Sequence, residues 1–190
     1  MKSSAWQGLA VFFDRDGTLI RDTGYLSDPE GIHILPGSVE AVRWLNQTGM
    51  RVIIITNQSG IARGFFNETT LHAIHDRLIT LFSAQGARID AIYYCPHHPE
   101  GVVEAYRKSC SCRKPEPGLL LRAAEDFGLD LRCCYLVGDK PIDDMETIHR
   151  VGGKGILIST DERADVKGRP DYITRDIYDA VHWICRDMGE

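Results

Sequence analysis

The chain has 190 residues, 43% of them hydrophobic, and its 22 basic against 27 acidic side chains leave a formal net charge of -5. That length builds one core without room for a second full domain, and the acidic balance (pI near 5.8) speaks against nucleic acid or a membrane surface as partner. No apolar run approaches the roughly 20 residues that span a bilayer, and Met1 to Gln7 lack the apolar core of a signal peptide. The expectation is therefore a cytoplasmic, monomeric domain over residues 1–190.

In chain order, the apolar run Leu9 to Phe13 reads as a buried strand and ends in Asp14, Arg15, Asp16, Gly17 and Thr18. Val39, Val42 and Leu45 recur at helical spacing. Val52 to Ile55 is a second strand, followed by Thr56, Asn57, Gln58, Ser59 and Gly60. Leu71, Ile74, Leu78, Leu81 and Phe82 mark a second helix, and Ala91 to Tyr94 a third strand. After a stretch rich in Cys, His and Pro come Arg113, Lys114 and Pro115, then a helix over Leu119 to Phe127. Tyr135 to Val137 is a fourth strand and runs into Gly138, Asp139 and Lys140, with Asp143 and Asp144 close behind. A helix over Met145 to Val151, strands at Ile156 to Ile158 and Tyr172 to Ile173, and a closing helix over Ile177 to Met188 complete the pattern. Strands alternating with helices imply an α/β three-layer sandwich, a mostly parallel sheet with helices on both faces. The stretch between Asp16 and Thr56 already holds a helix, and the next gap holds a helix and the Cys-rich loop, so no large cap domain fits.

Ligands of such sheets sit outside the carboxyl ends of the strands, and those ends are polar here. Asp14 and Asp16 at one strand end, with Asp139 on another, offer an oxygen-rich site suited to Mg²⁺ beside a phosphate. One carboxylate could attack phosphorus while the other handles a proton. Thr56 and Asn57 supply donors, and Lys114 a cation, for the phosphoryl oxygens.

Six cysteines without a secretory signal point to metal or core thiols rather than disulfides. Cys95, Cys110 and Cys112 share one short stretch with histidines; Cys133, Cys134 and Cys185 lie beside apolar residues and read as core. Three sulfurs and one imidazole close a tetrahedral Zn²⁺ with no open position, a structural site in a loop of about residues 95–112. His97 and the adjacent His98 are rivals for the imidazole. The spacing is not that of a DNA-reading zinc finger.

The order Asp-x-Asp-Gly-Thr, Thr56, Lys114 and Gly138-Asp139 with later acids resembles the haloacid dehalogenase superfamily over residues 9–144. Residues 14–18, the run Thr56 to Gly64, Cys95 to Pro99, Cys110 to Pro115 and Gly138 to Lys140 are together similar to the D-glycero-D-manno-heptose 1,7-bisphosphate phosphatases, with histidinol-phosphate phosphatases as near relatives. The resemblance implies Asp14 as nucleophile, Asp16 as general acid/base, and Thr56 and Lys114 as catalytic partners. It places Mg²⁺ on the Asp14 carboxylate, the Asp16 backbone carbonyl and Asp139, and Zn²⁺ on Cys95, His97, Cys110 and Cys112. Either Asp143 or Asp144 is the second acid of the last motif; the spacing from Asp139 favours Asp143. Asn57, Gln58, Arg113 and Lys140 are the expected substrate-binding residues, Lys140 serving equally well to neutralise the acidic cluster.

The implied activity is hydrolysis of the 7-phosphate of the heptose bisphosphate through an aspartyl-phosphate, on the way to ADP- or GDP-heptose for surface glycans such as lipopolysaccharide. The rivals are a histidinol-phosphate or other small-phosphate phosphatase, and a catalytically idle, zinc-stabilised binding module. His33, His72, His75, His149 and His182 show no partner pattern and read as surface or packed residues. Trp44, Trp183, Phe82 and Phe127 fall on apolar helical faces and read as core.

Overall fold

The computed structural model describes residues 8–159 and 168–189. Among them, six strands form one sheet: β1 (Ala10–Phe13), β2 (Arg51–Asn57), β3 (Ala91–Cys95), β4 (Tyr135–Gly138), β5 (Lys154–Ile158) and β6 (Tyr172–Thr174). The strand order is β3-β2-β1-β4-β5-β6, and every pairing is parallel. The helices are α1 (Ser38–Thr48), α2 (Glu68–Ser83), α3 (Gly118–Phe127), α4 (Asp143–His149) and α5 (Ile177–Asp187).

The pleat of the strands sorts side chains into two cores. Val11 and Phe13 of β1, with Val52 and Ile54 of β2, face α1, α2 and α5 through Val42, Leu45, Ile74, Phe82 and Ile184. Ala10 and Phe12, with Ile53 and Ile55, face α3 and α4 through Leu119, Leu120, Ala123 and Ile148. Strands covered on both faces need continuous apolar runs, which is why the sequence shows runs rather than alternation. Asn67 caps α2 by accepting from the Thr70 N–H at 2.9 Å, and Asp176 caps α5 by accepting from Asp179 at 2.8 Å. The described residues include no cap domain, as expected, and none of their helices is long and apolar enough to cross a membrane.

Two details differ from the sequence reading. Cys133 is exposed rather than core, because it ends a short 3₁₀ turn (Leu131–Cys133) ahead of β4 and points away from the sheet's interior; Cys134 and Cys185 are buried. Helix α4 starts at Asp143, two residues before Met145, which turns Asp144 inward.

The chain runs from β1 outward through β2 to β3, then returns to the other side of β1 with β4. The reversal opens a crevice at the carboxyl ends of β1 and β4. Asp14 prolongs that seam, its N–H donating to the Val137 carbonyl at 3.0 Å. Phe82 is fully buried on α2 and Leu121 is 53% exposed on α3. Phe82→Ala is expected to cost about 3–5 kcal/mol in urea unfolding, against about 0.5 kcal/mol or less for Leu121→Ala.

Candidate active site

At the β1/β4 seam, the Lys114 ammonium is buried between two carboxylates. Its Nζ donates to Asp14 Oδ1 at 2.8 Å, to Asp144 Oδ1 at 2.5 Å and to the Ile55 carbonyl at 3.2 Å. All three of its N–H groups are thereby used. Burial works against the ammonium, but the two carboxylates outweigh it and hold its pKa above the ordinary lysine value. The Lys114 backbone is fixed as well: Asn57 Oδ1 accepts from its N–H at 3.0 Å and Asn57 Nδ2 donates to its carbonyl at 3.1 Å.

Asp144, not Asp143, is the second acid at this point, which corrects the preference drawn from spacing. Asp144 is fully buried, with Oδ1 on Lys114 and Oδ2 accepting from the Lys140 N–H at 3.0 Å. The first turn of α4 decides it, since successive residues of a helix point about 100° apart and only one of the pair can face the sheet. Gly138 makes room: a Cβ there would overlap the Asp144 carboxylate. Asp143 lies on the cavity wall instead, its backbone carbonyl accepting from the Thr147 hydroxyl.

Asp14, Asp139 and Asp144 bring carboxylate oxygens within 4.8 Å of one another. Burial raises the pKa of all three acids, with Lys114 opposing it at Asp14 and Asp144 and Lys140 opposing it at Asp139. Asp139 Oδ2 accepts from Lys140 Nζ at 2.7 Å, whereas its Oδ1 is buried without a hydrogen-bond partner. Clustered carboxylates and an orphaned buried oxygen fit a hard divalent cation such as Mg²⁺.

The rest of the predicted set frames a cavity of about 330 Å³ whose lining includes Asp14, Asp16, Thr56, Arg113, Lys114 and Lys140. Lys140 also reaches Asp22 Oδ2 at 3.4 Å. Asn57 and Gln58, the expected substrate-binding residues, line the same cavity, and their side-chain amides also bond within the protein. Gln58 Nε2 donates to Asp16 Oδ2 at 2.9 Å and to Thr56 Oγ1 at 2.8 Å, and its Oε1 accepts from Arg15 at 3.0 Å. Sequence reasoning assigned no role to Arg15, which is 1% exposed and grips Asp16 through both Nε and Nη2. The signal was present, for an arginine between two motif aspartates at a buried strand end must find partners.

On the rim, Cys95, His97, Cys110 and Cys112 converge. The sulfurs lie 3.1, 3.3 and 3.5 Å apart, and His97 Nδ1 sits 3.4 Å from Cys112 Sγ and 3.8 Å from Cys95 Sγ. A tetrahedral ion at ordinary Zn–S and Zn–N lengths sets its ligand atoms about 3.5–3.8 Å apart, so the constellation fits one. His98 faces elsewhere, with Nε2 3.1 Å from Arg63 and Nδ1 accepting from the Glu100 N–H at 3.1 Å. Arg113 donates to the His97 carbonyl at 3.4 Å, joining this loop to the cavity wall.

Comparison with known proteins agrees with this geometry. Residues 11–74 match the model of haloacid dehalogenase-like hydrolases and residues 111–180 that of HAD-hydrolase-like proteins. The D-glycero-beta-D-manno-heptose-1,7-bisphosphate 7-phosphatase of Escherichia coli K12 is 36% identical over 95% of this chain and 90% of its own. The D-glycero-D-manno-heptose-1,7-bisphosphate 7-phosphatase of Thermosynechococcus vestitus is 41% identical over 95% and 97%. Among solved structures, the D,D-heptose 1,7-bisphosphate phosphatase of B. bronchiseptica, complexed with magnesium and phosphate, superposes with a TM-score of 0.81 at 31% identity, covering 94% of this chain and 98% of that one. Parallel sheet and carboxylate–lysine site thus define a phosphoric monoester hydrolase of the haloacid dehalogenase class. Within that class the chain belongs to the D-glycero-D-manno-heptose 1,7-bisphosphate 7-phosphatase family.

The two neighbouring acids of α4 provide a direct check. Asp144→Asn removes one of the two charges that hold Lys114 and should lower magnesium-dependent phosphate release roughly ten- to a hundred-fold, the worth of a charged hydrogen bond. Asp143→Asn should cost less than about a third of that factor; the reverse order would return the motif to Asp143.

Proposed function

We propose that this chain hydrolyses the 7-phosphate of D-glycero-D-manno-heptose 1,7-bisphosphate through an aspartyl-phosphate on Asp14. The observation that carries the reading is the Asp14 carboxylate at the cavity wall, held 2.8 Å from Lys114 Nζ, with a second cation, Arg113, lining the same cavity.

In the first half-reaction an Asp14 oxygen forms a bond to the 7-phosphorus, the bond from phosphorus to the sugar oxygen breaks, and Asp16 delivers a proton to that oxygen. In the second, a water oxygen bonds to phosphorus and gives its proton to Asp16. The Asp14–phosphorus bond breaks, inorganic phosphate leaves, and the Asp14 carboxylate is restored. Lys114 and the Thr56 hydroxyl face the charge that develops on the phosphoryl oxygens. Asp14, Asp139 and the Asp16 backbone carbonyl, with Asp144 beside them, would hold Mg²⁺, whose charge offsets that of the phosphoryl group. Arg113 is suited to grip the retained 1-phosphate through its planar fork.

A structural Zn²⁺ on Cys95, His97, Cys110 and Cys112 is the companion proposal, supported by the converging sulfurs and imidazole. Elemental analysis of protein made with zinc supplied should give one zinc per chain, and Cys110→Ser/Cys112→Ser should lose it together with thermal stability. Undiminished zinc in that variant would remove these residues from the ligand set.

The functional reading is tested by phosphorus NMR on the heptose bisphosphate, a heptose 7-monophosphate and histidinol phosphate. Asp14→Asn should fold normally and show no turnover. Arg113→Ala should lose roughly ten- to a hundred-fold in kcat/KM on the bisphosphate and much less on the monophosphate. Preferred turnover of histidinol phosphate, or release of the 1-phosphate, would point to another substrate.

A further inference from the structure

Two buried ionisable side chains have no task in this chemistry. Arg15 is 1% exposed and His75, on α2, 6% exposed. Sixty residues apart in sequence, they meet inside the fold, Arg15 Nη1 lying 3.3 Å from His75 Nε2. A guanidinium only donates and stays charged in proteins, so Nε2 must accept, which makes His75 a neutral imidazole with its proton on Nδ1. Burial first, then the Arg15 charge and the neighbouring His72, bring His75 down to about 3, so it remains an acceptor across the neutral range. The His75 ring is held edge-on to Tyr94, with centroids 5.7 Å apart.

The other edge of the guanidinium holds Asp16. Nε reaches Asp16 Oδ2 at 3.1 Å and Nη2 reaches Asp16 Oδ1 at 3.0 Å, while Nη2 also donates to Gln58 Oε1 at 3.0 Å. Because the guanidinium is planar and rigid, fixing Nη1 at one edge fixes the fork at the other. Without an acceptor at position 75, a buried N–H of a charged group is left unpaired, and rotating Arg15 to find a new partner would carry the fork away from Asp16. Asp16 lines the cavity, whereas neither Arg15 nor His75 is among its lining residues, so their influence on a substrate must pass through Asp16.

We infer that His75 is a positioning residue for proton transfer, acting through Arg15 to aim the Asp16 carboxylate at the leaving oxygen. This rests on the reading of Asp16 as the acid/base, and the test separates the two. A sugar alkoxide needs a proton to leave, whereas 4-nitrophenolate does not, so misplacing Asp16 slows the first half-reaction only on the sugar phosphate. Hydrolysis of the aspartyl-phosphate, in which Asp16 takes the proton of water, is the same step for both substrates. His75→Leu, His75→Gln, Arg15→Lys and Asp16→Asn are compared by single-turnover release of heptose 1-phosphate from the bisphosphate and of 4-nitrophenolate from 4-nitrophenyl phosphate, which reads the first half-reaction alone.

His75→Leu and Arg15→Lys should each lower the single-turnover rate on the sugar phosphate about a hundred-fold with half-saturation within about threefold, and change the single-turnover rate on 4-nitrophenyl phosphate less than about threefold. His75→Gln, whose Oε1 can accept from Arg15, should recover most of the loss. Equal losses on both phosphates in this first half-reaction, or unchanged single-turnover rates in both Arg15→Lys and His75→Leu, would overturn the inference. If His75→Leu does not fold, Arg15→Lys decides alone by the same criterion. Asp16→Asn is the reference. If it separates the two phosphates and the other variants do not, only the inference falls; if it fails to separate them, the assignment of Asp16 falls and the inference with it.

Discussion

The site depends on one buried ammonium. Moving a lysine charge out of water costs several kcal/mol even after the protein relaxes. Lys114 is tolerated because Asp14, Asp144 and the Ile55 carbonyl take all three of its N–H groups. Each partner comes from a different segment: the end of β1, the first turn of α4 and the end of β2. The Asn57 side chain then holds the lysine backbone from both sides. The bonds that hold the lysine therefore also register three segments at Asp14, and any loosening among them is felt there.

Around that ion pair the charges are arranged to be incomplete. Three acids crowd the β1/β4 seam, facing one buried ammonium and the half-exposed Lys140, and one buried oxygen of Asp139 has no partner. A fold that satisfies nearly all its buried polar groups leaves such a deficit where a ligand completes the set. Here a divalent cation and a phosphate together would do so, one supplying positive charge and the other oxygen atoms to share.

With no cap among the described residues, selectivity must come from loops around an open cavity. The Cys/His loop is stitched to its surroundings. The N–H groups of Val102 and Val103 donate to the Ala62 carbonyl at 2.8 and 2.9 Å, and the Tyr106 hydroxyl donates to Glu68 on α2 at 2.9 Å. A metal on the four ligands would stiffen the same loop from within, and Arg113 follows one residue after the last of them. The order of the loop and the placement of the rim cation are thus one problem in this chain.

Much of this was legible in the sequence, because the parallel sheet writes itself as apolar runs and puts its polar residues just after them. Asp14, Thr56 and Asp139 follow such runs directly, Cys95 closes the β3 run, and the spacing of Cys110 and Cys112 survives folding because a local pair is near in space whatever the fold. What the sequence could not decide were choices of direction. Asp143 and Asp144 differ by one step, and only the start of α4 showed which faces Lys114. His97 and His98 differ likewise, and Arg63 and Glu100 hold the second away from the sulfurs. Asn57 and Gln58 line the cavity, as their place after β2 implies, but the internal partners of their amides depend on neighbours distant in the chain. His75 looked like a packed residue with no partner for the same reason: its acceptor nitrogen gains meaning only when α2 docks beside β1. Residue type and local order are fixed by covalent sequence, whereas the pairing of a buried polar group is settled by the distant groups that packing brings within 3 Å or so of it.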